Sequence, residues 1–565
     1  MKPVLRGRHL LAVAIFVMVA AGYGRLAMLD YRFSPGQPGM AAAALKEENR
    51  QLFPCDPVLG PSKLWQLESP LFQGVMKLWL VPQGYTDVSM PFRATVPILT
   101  MLYLCGMYAL LYRQCLNWSV SAFVAVLSSA VVWGPGEWHW GVGSLGSVTP
   151  EALCMSAVPL VMMAYIRYAR QWQVLLVFGF VGLMGNLHLI TAINLTIILA
   201  LVHAARERFR LAAVPMLLGA LGCAAIGMAP YLAYYFAQRQ EVSPEGVRAG
   251  YDWASDALET AGLKVLYPEL LRPLAAFLPF CAILGVPAVS ILFRRERFRT
   301  RDLSTWVWFV AAAAFVGLGL HGLIQALGRW LDRPPLTIDF VQALTVMLLP
   351  LYILLAQALS HLYRLMSGLR GWLRGACVLL LIGWVGCSDN VRVLRHWVAQ
   401  EATAFVPEDD KPPYVKRQRD RQANFEEFAR LARWCRDETH TDPGAVFLTD
   451  SSLFRMLSRR SILNSADDIR YIYYARPWRL SEWAQEIDRA EQLRDSPGSG
   501  RGLCAYAEEL AQGSSDRARA SAWYVVLDGG RDIESPTAAQ EIKSDLWGSE
   551  YRLFLLPKPS ARPTP

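Results

Sequence analysis

Three groups of residues in this sequence have the types and spacing to do chemistry. The first is acidic. Asp30 stands directly after an apolar run, and Asp56 sits in a Pro-Cys-Asp-Pro turn within NRQLFPCDPVLGPSKLWQLESPLFQGVMKLWL (49–80). A carboxylate held at a membrane interface can serve as a general base toward an acceptor hydroxyl, or can bind a divalent cation, Mg or Mn, on a phosphate substrate. An Asp in such a turn also caps the turn that follows it, and both readings of Asp56 stand at this point. The second group is Asn186 and His188, where two apolar runs meet. A polar pair at a membrane-embedded turn marks function by default, and the same side chains can instead satisfy carbonyls freed at helix ends. His321 is a weaker case of the same kind. The third group is Arg329, Asp332, Arg333 and Asp339. The planar fork of arginine clamps phosphate oxygens bidentately, while Asp–Arg pairs in a solvated loop account for the same residues without function. Glu137 and His139 lie in a Trp-rich loop, EWHW, of a kind common at membrane interfaces.

The elements that must position these residues follow from composition. Hydrophobic residues make up 53% of the 565 and charged residues 18%, where an average soluble chain carries about 25% charged residues. With a mean hydropathy of +0.24, this excludes disorder, collagen-like repeats and a small disulfide framework. Crossing about 30 Å of hydrocarbon takes about 20 helical residues. Runs of that kind fall at 10–29, 94–112, 117–135, 148–166, 172–186, 188–204, 211–236, 273–293, 303–323, 340–362 and 373–388. The expectation is therefore about 11 transmembrane helices over residues 1–388, with an external loop at 30–92 that carries an interfacial helix.

Orientation comes from Lys and Arg in short loops. Lys2, Arg6 and Arg8 precede the first run, and Arg113, Arg167, Arg170, Arg206, Arg208 and Arg210 follow alternate runs. Arg294–Arg301 and Arg364–Arg374 continue the alternation. The amino terminus is expected in the cytoplasm, with the first run kept as an anchor. An odd number of spans then puts the carboxyl-terminal region outside, in the periplasm of a bacterial inner membrane. The net charge of +9 reads as this orientation signal, and nucleic acid is not an expected partner.

From residue 389 to 565 the composition is that of a soluble α/β domain. QANFEEFARLARWCRDE (422–438) places Phe425, Phe428, Leu431, Ala432 and Cys435 on one helical face. AVFLTD (445–450), RSILN (460–464), AWYVVLD (522–528) and YRLFLLP (551–557) read as strands, with helices at 480–494 and 503–512, which predicts a small, mostly parallel sheet. Cys55, Cys387, Cys435 and Cys504 lie outside, where disulfides are permitted, and a Cys435–Cys504 bridge is one pairing. The sequence contains no Cys-x-x-Cys, His-Glu-x-x-His, Gly-x-Ser-x-Gly or P-loop motif.

A carboxylate after the first helix, a long first external loop, many further spans and an external α/β domain together resemble the GT-C superfamily of membrane glycosyltransferases. The resemblance is to a bacterial branch carrying such a domain. It is borne by Leu52-Phe53-Pro54-x-Asp56, Thr149-Pro150-Glu151 opening the fourth span, His188 at an outer helix turn, FRMLSRRSI (454–462) and Ser481-Glu482-Trp483. It implies transfer of a sugar from a polyprenyl-phosphate donor to an acceptor on the outer face, by inverting displacement. Asp56 would be the base or metal-orienting carboxylate, with Asp30 its partner. His188, Asn186, Arg329 and Arg333 would hold the donor phosphate. The implied partners are the lipid-linked donor, membrane lipids, and an envelope protein or glycan as acceptor.

Two rival readings remain. One is a non-catalytic scaffold or assembly subunit of an envelope complex, which the acid-poor stretch SPGQPGMAAAALKE (34–47) favours. The other is a transporter of a lipid-linked substrate, which would need polar residues along a mid-membrane path.

Overall fold

The computed structural model describes residues 3–60, 64–129, 132–133, 139–238, 302–331, 340–366, a few positions between 371 and 379, and, with short interruptions, 402–557. Nine of the eleven expected spans fall on described helices. These are α1 (Pro3–Leu29), α4 (Met90–Cys115), α5 (Trp118–Ser129), α6 (Pro150–Tyr168), α7 (Val174–Met184), α8 (Leu189–Arg206), α9 (Val214–Gln238), then α10 (Leu303–Ala314), which runs through a π-helical turn into α11 (His321–Trp330), and α12 (Ala343–Met366). The expected span 273–293 lies outside the described residues, as does nearly all of 373–388. Six stretches among the described residues are long and apolar enough to cross a membrane, and α5 and α7 are shorter apolar helices.

Local sequence explains where these helices start and how closely they pack. Thr149 caps α6 by accepting from the Ala152 amide, Pro150 occupies its first turn and Glu151 complements the helix dipole. Thr149-Pro150-Glu151 is thus a helix start. The pair α7 and α9 approaches closely because glycines face each other. A Cβ on Gly182 would sit 2.2 Å from the Ala224 carbonyl oxygen, and one on Gly227 would sit 2.6 Å from that of Gly179.

The long segment between α1 and α4 is built from α2 (Gly36–Glu48) and α3 (Pro70–Leu80). The sequence leads to an interfacial helix with Trp65, Leu71, Phe72, Val75, Met76 and Trp79. The helix found there is α3, and it buries Phe72, Gln73, Met76 and Leu80 against protein, leaving Leu71 and Leu78 exposed. Its apolar face packs on α2 and α4.

The carboxyl-terminal region is a layered α/β unit. Beyond the short antiparallel pair β1 (Val132–Trp133) and β2 (His139–Trp140), the strands are the five of this unit, β3 (Val446–Leu448), β4 (Ser461–Ile462), β5 (Trp523–Asp528), β6 (Gln540–Ile542) and β7 (Tyr551–Leu555), in the order β4-β3-β5-β7-β6. Strand β3 pairs in parallel with β4 and β5, whereas β7 pairs antiparallel with β5 and β6. The expectation of a mostly parallel sheet is corrected to a mixed one, because no helical crossover separates β6 from β7. One sheet face, with Phe447, Tyr524 and Leu553, packs on α13 (Pro413–Arg436) through Phe428, Leu431, Ala432 and Cys435. The other, with Val446, Val525 and Phe554, packs on α15 (Leu480–Asp495) and α16 (Ser499–Gly513). Cys435 and Cys504 are free thiols belonging to these two opposite layers. A bridge needs Cα atoms within about 7 Å, so the Cys435–Cys504 pairing is ruled out by the sheet between them.

The segment between α1 and α4 and the carboxyl-terminal region share a core. Phe53, Val58, Leu59, Phe72 and Met76 of the first segment pack with Met456, Tyr471, Ile472, Leu480 and Trp483 of the sheet domain, and with Val96, Leu145 and Val148 at the ends of the membrane helices.

Candidate functional site

Asp56 is the first residue to place. It is 0% exposed. Its Oδ1 accepts from the amides of Val58 (3.0 Å) and Leu59 (2.9 Å), the local capping geometry of an Asp turn. Its Oδ2 accepts from Arg455 Nε at 2.7 Å and from the Ile462 amide at 3.3 Å. Arg455, also 0% exposed, donates its two Nη groups to Asp468 at 2.8 Å each. Burial pushes the Asp56 carboxyl above the usual carboxylate range, and Arg455 opposes that shift. Burial likewise works against the Arg455 charge, but Asp468 and Asp56 more than offset it and raise its pKa above the ordinary value. With four donors on its two oxygens and no solvent contact, Asp56 takes the turn-capping reading in this structure and joins the segment between α1 and α4 to the sheet domain.

The FRMLSRRSI motif serves the same junction. Its helix, α14 (Ser452–Ser458), carries Arg455. Arg459 donates to the Tyr85 carbonyl of the first segment. Arg460, 3% exposed, donates to the Thr441 hydroxyl and to the carbonyls of Thr441 and Arg436, closing the end of α13. In the Ser481-Glu482-Trp483 motif, Trp483 fills the shared core while Glu482 pairs with Arg479 at the surface.

Asn186 is also committed to structure. Its Nδ2 donates to the Gly227 carbonyl at 2.9 Å and its Oδ1 accepts from the Tyr231 amide at 3.0 Å. Gly227 and Tyr231 are the i, i+4 pair that spans Pro230 inside α9. Pro230 has no N–H to give the Ile226 carbonyl and so loosens this turn, and the carboxamide binds the adjacent Gly227–Tyr231 pair from the neighbouring corner. The Asn186 carbonyl in turn accepts from Ser69 Oγ, which ties α3 to the same corner. His188 is the N-cap of α8: its Nδ1 meets Thr191 Oγ1 at 2.7 Å and accepts from the Thr191 amide. Both residues satisfy helix-end groups, the second of the two readings that their place in the sequence left open. Arg333 lies outside the described residues, as does the side chain of Arg329 on α11.

Asp30 is different. It follows α1, and its carboxylate accepts from Arg32 Nε at 2.8 Å and from the Arg32 amide at 3.1 Å. The Asp30 side chain is 13% exposed and that of Arg32 is 68% exposed, so the pair is reachable from solvent. The hydrogen bond from Asp30 raises the Arg32 pKa. Arg93, at the start of α4, donates to the Asp30 carbonyl at 3.2 Å, while its buried Nε and the buried Ser34 Oγ have no partner among the described residues. Tyr31 stacks on Phe425 of α13 with centroids 5.6 Å apart. Arg421, one turn before Phe425, acts electrostatically on the Tyr31 phenol, whose pKa is raised by burial against the pull of Arg32 and Arg421. Asp30 thus lies in a cationic setting where the first membrane helix, α4 and the sheet domain's α13 meet. The sequence carried a signal for these residues: Arg32 and Arg93 flank spans on the side expected to be outside, against the bias on which that expectation rests.

Among the described residues, no group of three or more His, Cys, Asp or Glu side chains is placed to hold a metal ion. Among the described residues, the carboxylate of Asp30 is paired with Arg32.

Asp30, Asp56 and the Asn186–His188 turn therefore occupy separate settings, each with its own partners. No known protein family and no curated protein matches this sequence. Among solved structures, the chain is similar to the archaeal oligosaccharyltransferase AglB from Archaeoglobus fulgidus, solved with an inhibitory peptide and a dolichol-phosphate. The identity is 14%, the match covers 93% of this chain and 70% of that one, and the TM-score is 0.40.

Proposed function

We propose that this chain is a GT-C-type membrane glycosyltransferase that moves a sugar from a polyprenyl-phosphate donor to an acceptor hydroxyl at the outer membrane face, with Asp30 as general base. The observation that carries this reading is the carboxylate of Asp30 directly beyond the first membrane helix, beside Arg32 and Arg93. In the proposed reaction the acceptor hydroxyl attacks the anomeric carbon as Asp30 removes its proton. The bond from that carbon to the phosphate oxygen breaks, and polyprenyl phosphate leaves with the bonding electrons. Arg93, whose buried Nε has no partner among the described residues, and Arg32 supply the guanidinium forks suited to the departing phosphate. The orientation, with an amino terminus in the cytoplasm and the sheet domain in the periplasm of a bacterial inner membrane, is part of the same proposal.

The test uses the full chain in nanodiscs with a panel of short-chain polyprenyl-phosphate hexoses, reading release of polyprenyl phosphate. Wild type should release it with at least one donor, and D30N should lose release by about 100-fold or more while keeping the wild-type melting temperature. Undiminished release by D30N would remove Asp30 from the mechanism.

A second reading has its own observation. Asp56, expected as the base or metal-orienting carboxylate, is held in a buried ion cluster, which suits a scaffold or assembly subunit of the envelope. Copurification in a stoichiometric complex, with no release from any donor, would favour that reading.

A further inference from the structure

A second set of polar side chains lies at the end of the membrane helices opposite the sheet domain. Helix α8 starts at His188, beside the corner tied to the segment between α1 and α4. His203 lies 15 residues further on, about 22 Å along the axis at about 1.5 Å per residue. There Tyr165 of α6 is 0% exposed and His203 is 3% exposed, their rings edge to face with centroids 6.4 Å apart. Tyr165 Oη, His203 Nδ1 and Arg206 Nη1 are all buried, with no hydrogen-bond partner among the described residues. Through Phe309, which meets Tyr165 edge to face at 5.8 Å, the group continues to Trp306, whose buried indole N–H also has no partner among the described residues.

Buried polar atoms in native structures are almost always paired, so a concentration of orphans points to a missing binding partner. The chemistry of that partner follows from what the orphans can do. An arginine Nη and an indole N–H only donate, a phenol donates readily, and a histidine nitrogen does either. The missing group must therefore accept several hydrogen bonds, and the guanidinium beside it selects an anion. Glu207 is the carboxylate that bears on Tyr165 and His203 electrostatically; its backbone amide is tied to the His203 carbonyl. The neighbouring surface of α6 and α7 carries an open apolar groove of about 380 Å³ lined by Leu160, Val161, Ala164, Leu176, Val177 and Phe180, of a size to take an acyl chain.

We propose that Tyr165, His203 and Arg206 form a binding site for a phosphate oxyanion at this end of the membrane domain. Its source is either the headgroup of an anionic phospholipid or free phosphate.

The experiment is thermal unfolding of the purified full chain in phosphate-free detergent, titrated with inorganic phosphate, with dihexanoyl phosphatidylglycerol, and with dihexanoylglycerol as the control that lacks phosphate. At least one phosphate compound should raise the melting temperature of wild type beyond the control. Stabilisation by phosphatidylglycerol alone identifies the headgroup, and equal stabilisation by inorganic phosphate identifies the free ion. Tyr165→Phe removes only the orphan oxygen. It should leave the melting temperature without ligand unchanged or higher, and weaken the apparent affinity about tenfold. Arg206→Gln should weaken it further. The proposal is overturned if neither compound exceeds the control, or if both variants bind as wild type does.

Discussion

Arg455 Nε and Asp56 Oδ2 meet at 2.7 Å although 399 residues separate them in sequence, and neither side chain is exposed. The Asp468 carboxylate closes the cluster from the other side of the guanidinium. Removing one member of a buried ion cluster leaves the others uncompensated, which costs about 3–5 kcal/mol. Arg455→Ala should therefore lower the melting temperature and make the segment around Asp56 and the sheet domain sensitive to limited proteolysis together. Asp56→Asn should lower the yield of folded protein. Full folded yield and wild-type melting for both variants would show that the cluster does not join the two segments.

Asp30 and Asp56 are predicted to separate cleanly. Asp30→Asn sits at a solvent-reachable pair, and exposed pairs contribute about 0–1 kcal/mol. Its folding should be nearly unchanged, with the loss confined to transfer. Measuring melting temperature and donor turnover on the same preparations of D30N and D56N distinguishes a reacting carboxylate from a buried bolt. Equal destabilisation of the two would contradict the assignment.

Asn186 and Pro230 should be coupled. Asn186→Leu leaves the Gly227 carbonyl and the Tyr231 amide without their side-chain partner, and an unsatisfied buried group costs about 1–3 kcal/mol. In a Pro230→Ala background the α9 ladder can re-form, so the same Asn186 change should cost much less. A double-mutant cycle on thermal unfolding in detergent reads this coupling; additive losses would mean that the carboxamide does not serve the proline break.

The sheet-domain thiols should be inert in the folded protein. Cys435 and Cys504 are buried and free, and burial pushes the Cys504 thiol up to about 12 from an ordinary 9.0. Alkylation at pH 8 should spare both until denaturant is added, and a reducing agent should leave the melting temperature unchanged. A folded-state pKa raised above the unfolded one gives a stability contribution that is complete below pH about 9 and declines as pH rises toward about 12. Cys504→Ala should accordingly flatten the alkaline loss of stability, as followed by melting temperature between pH 8 and 11. Rapid native-state alkylation would refute the burial of these thiols.

The sequence by itself determined the elements whose signals are local. Hydropathy over about 20 residues located nine spans that fall on described helices. Helical spacing of Phe428, Leu431, Ala432 and Cys435 marked the inward face of α13, and apolar runs marked β3, β4, β5 and β7. Even the start of α6 at Thr149-Pro150-Glu151 is written within three residues. These are legible because a helix or strand is defined by neighbours within a few positions.

Tertiary structure alone decided what the polar residues do. Asp56 looks the same in sequence whether it faces a substrate or Arg455, since its partner lies hundreds of residues away on another element. Asn186 reads as a membrane-embedded ligand until Gly227 and Tyr231 are seen on either side of Pro230. Antiparallel addition of β7 to β5, and the separation of Cys435 from Cys504 by the sheet, follow from strand pairing between distant segments. Asp30 drew its weight from Arg93 on another helix and from Tyr31 stacked on Phe425 of the sheet domain. A polar side chain takes its role from the donors and charges around it, and only the folded chain brings those together.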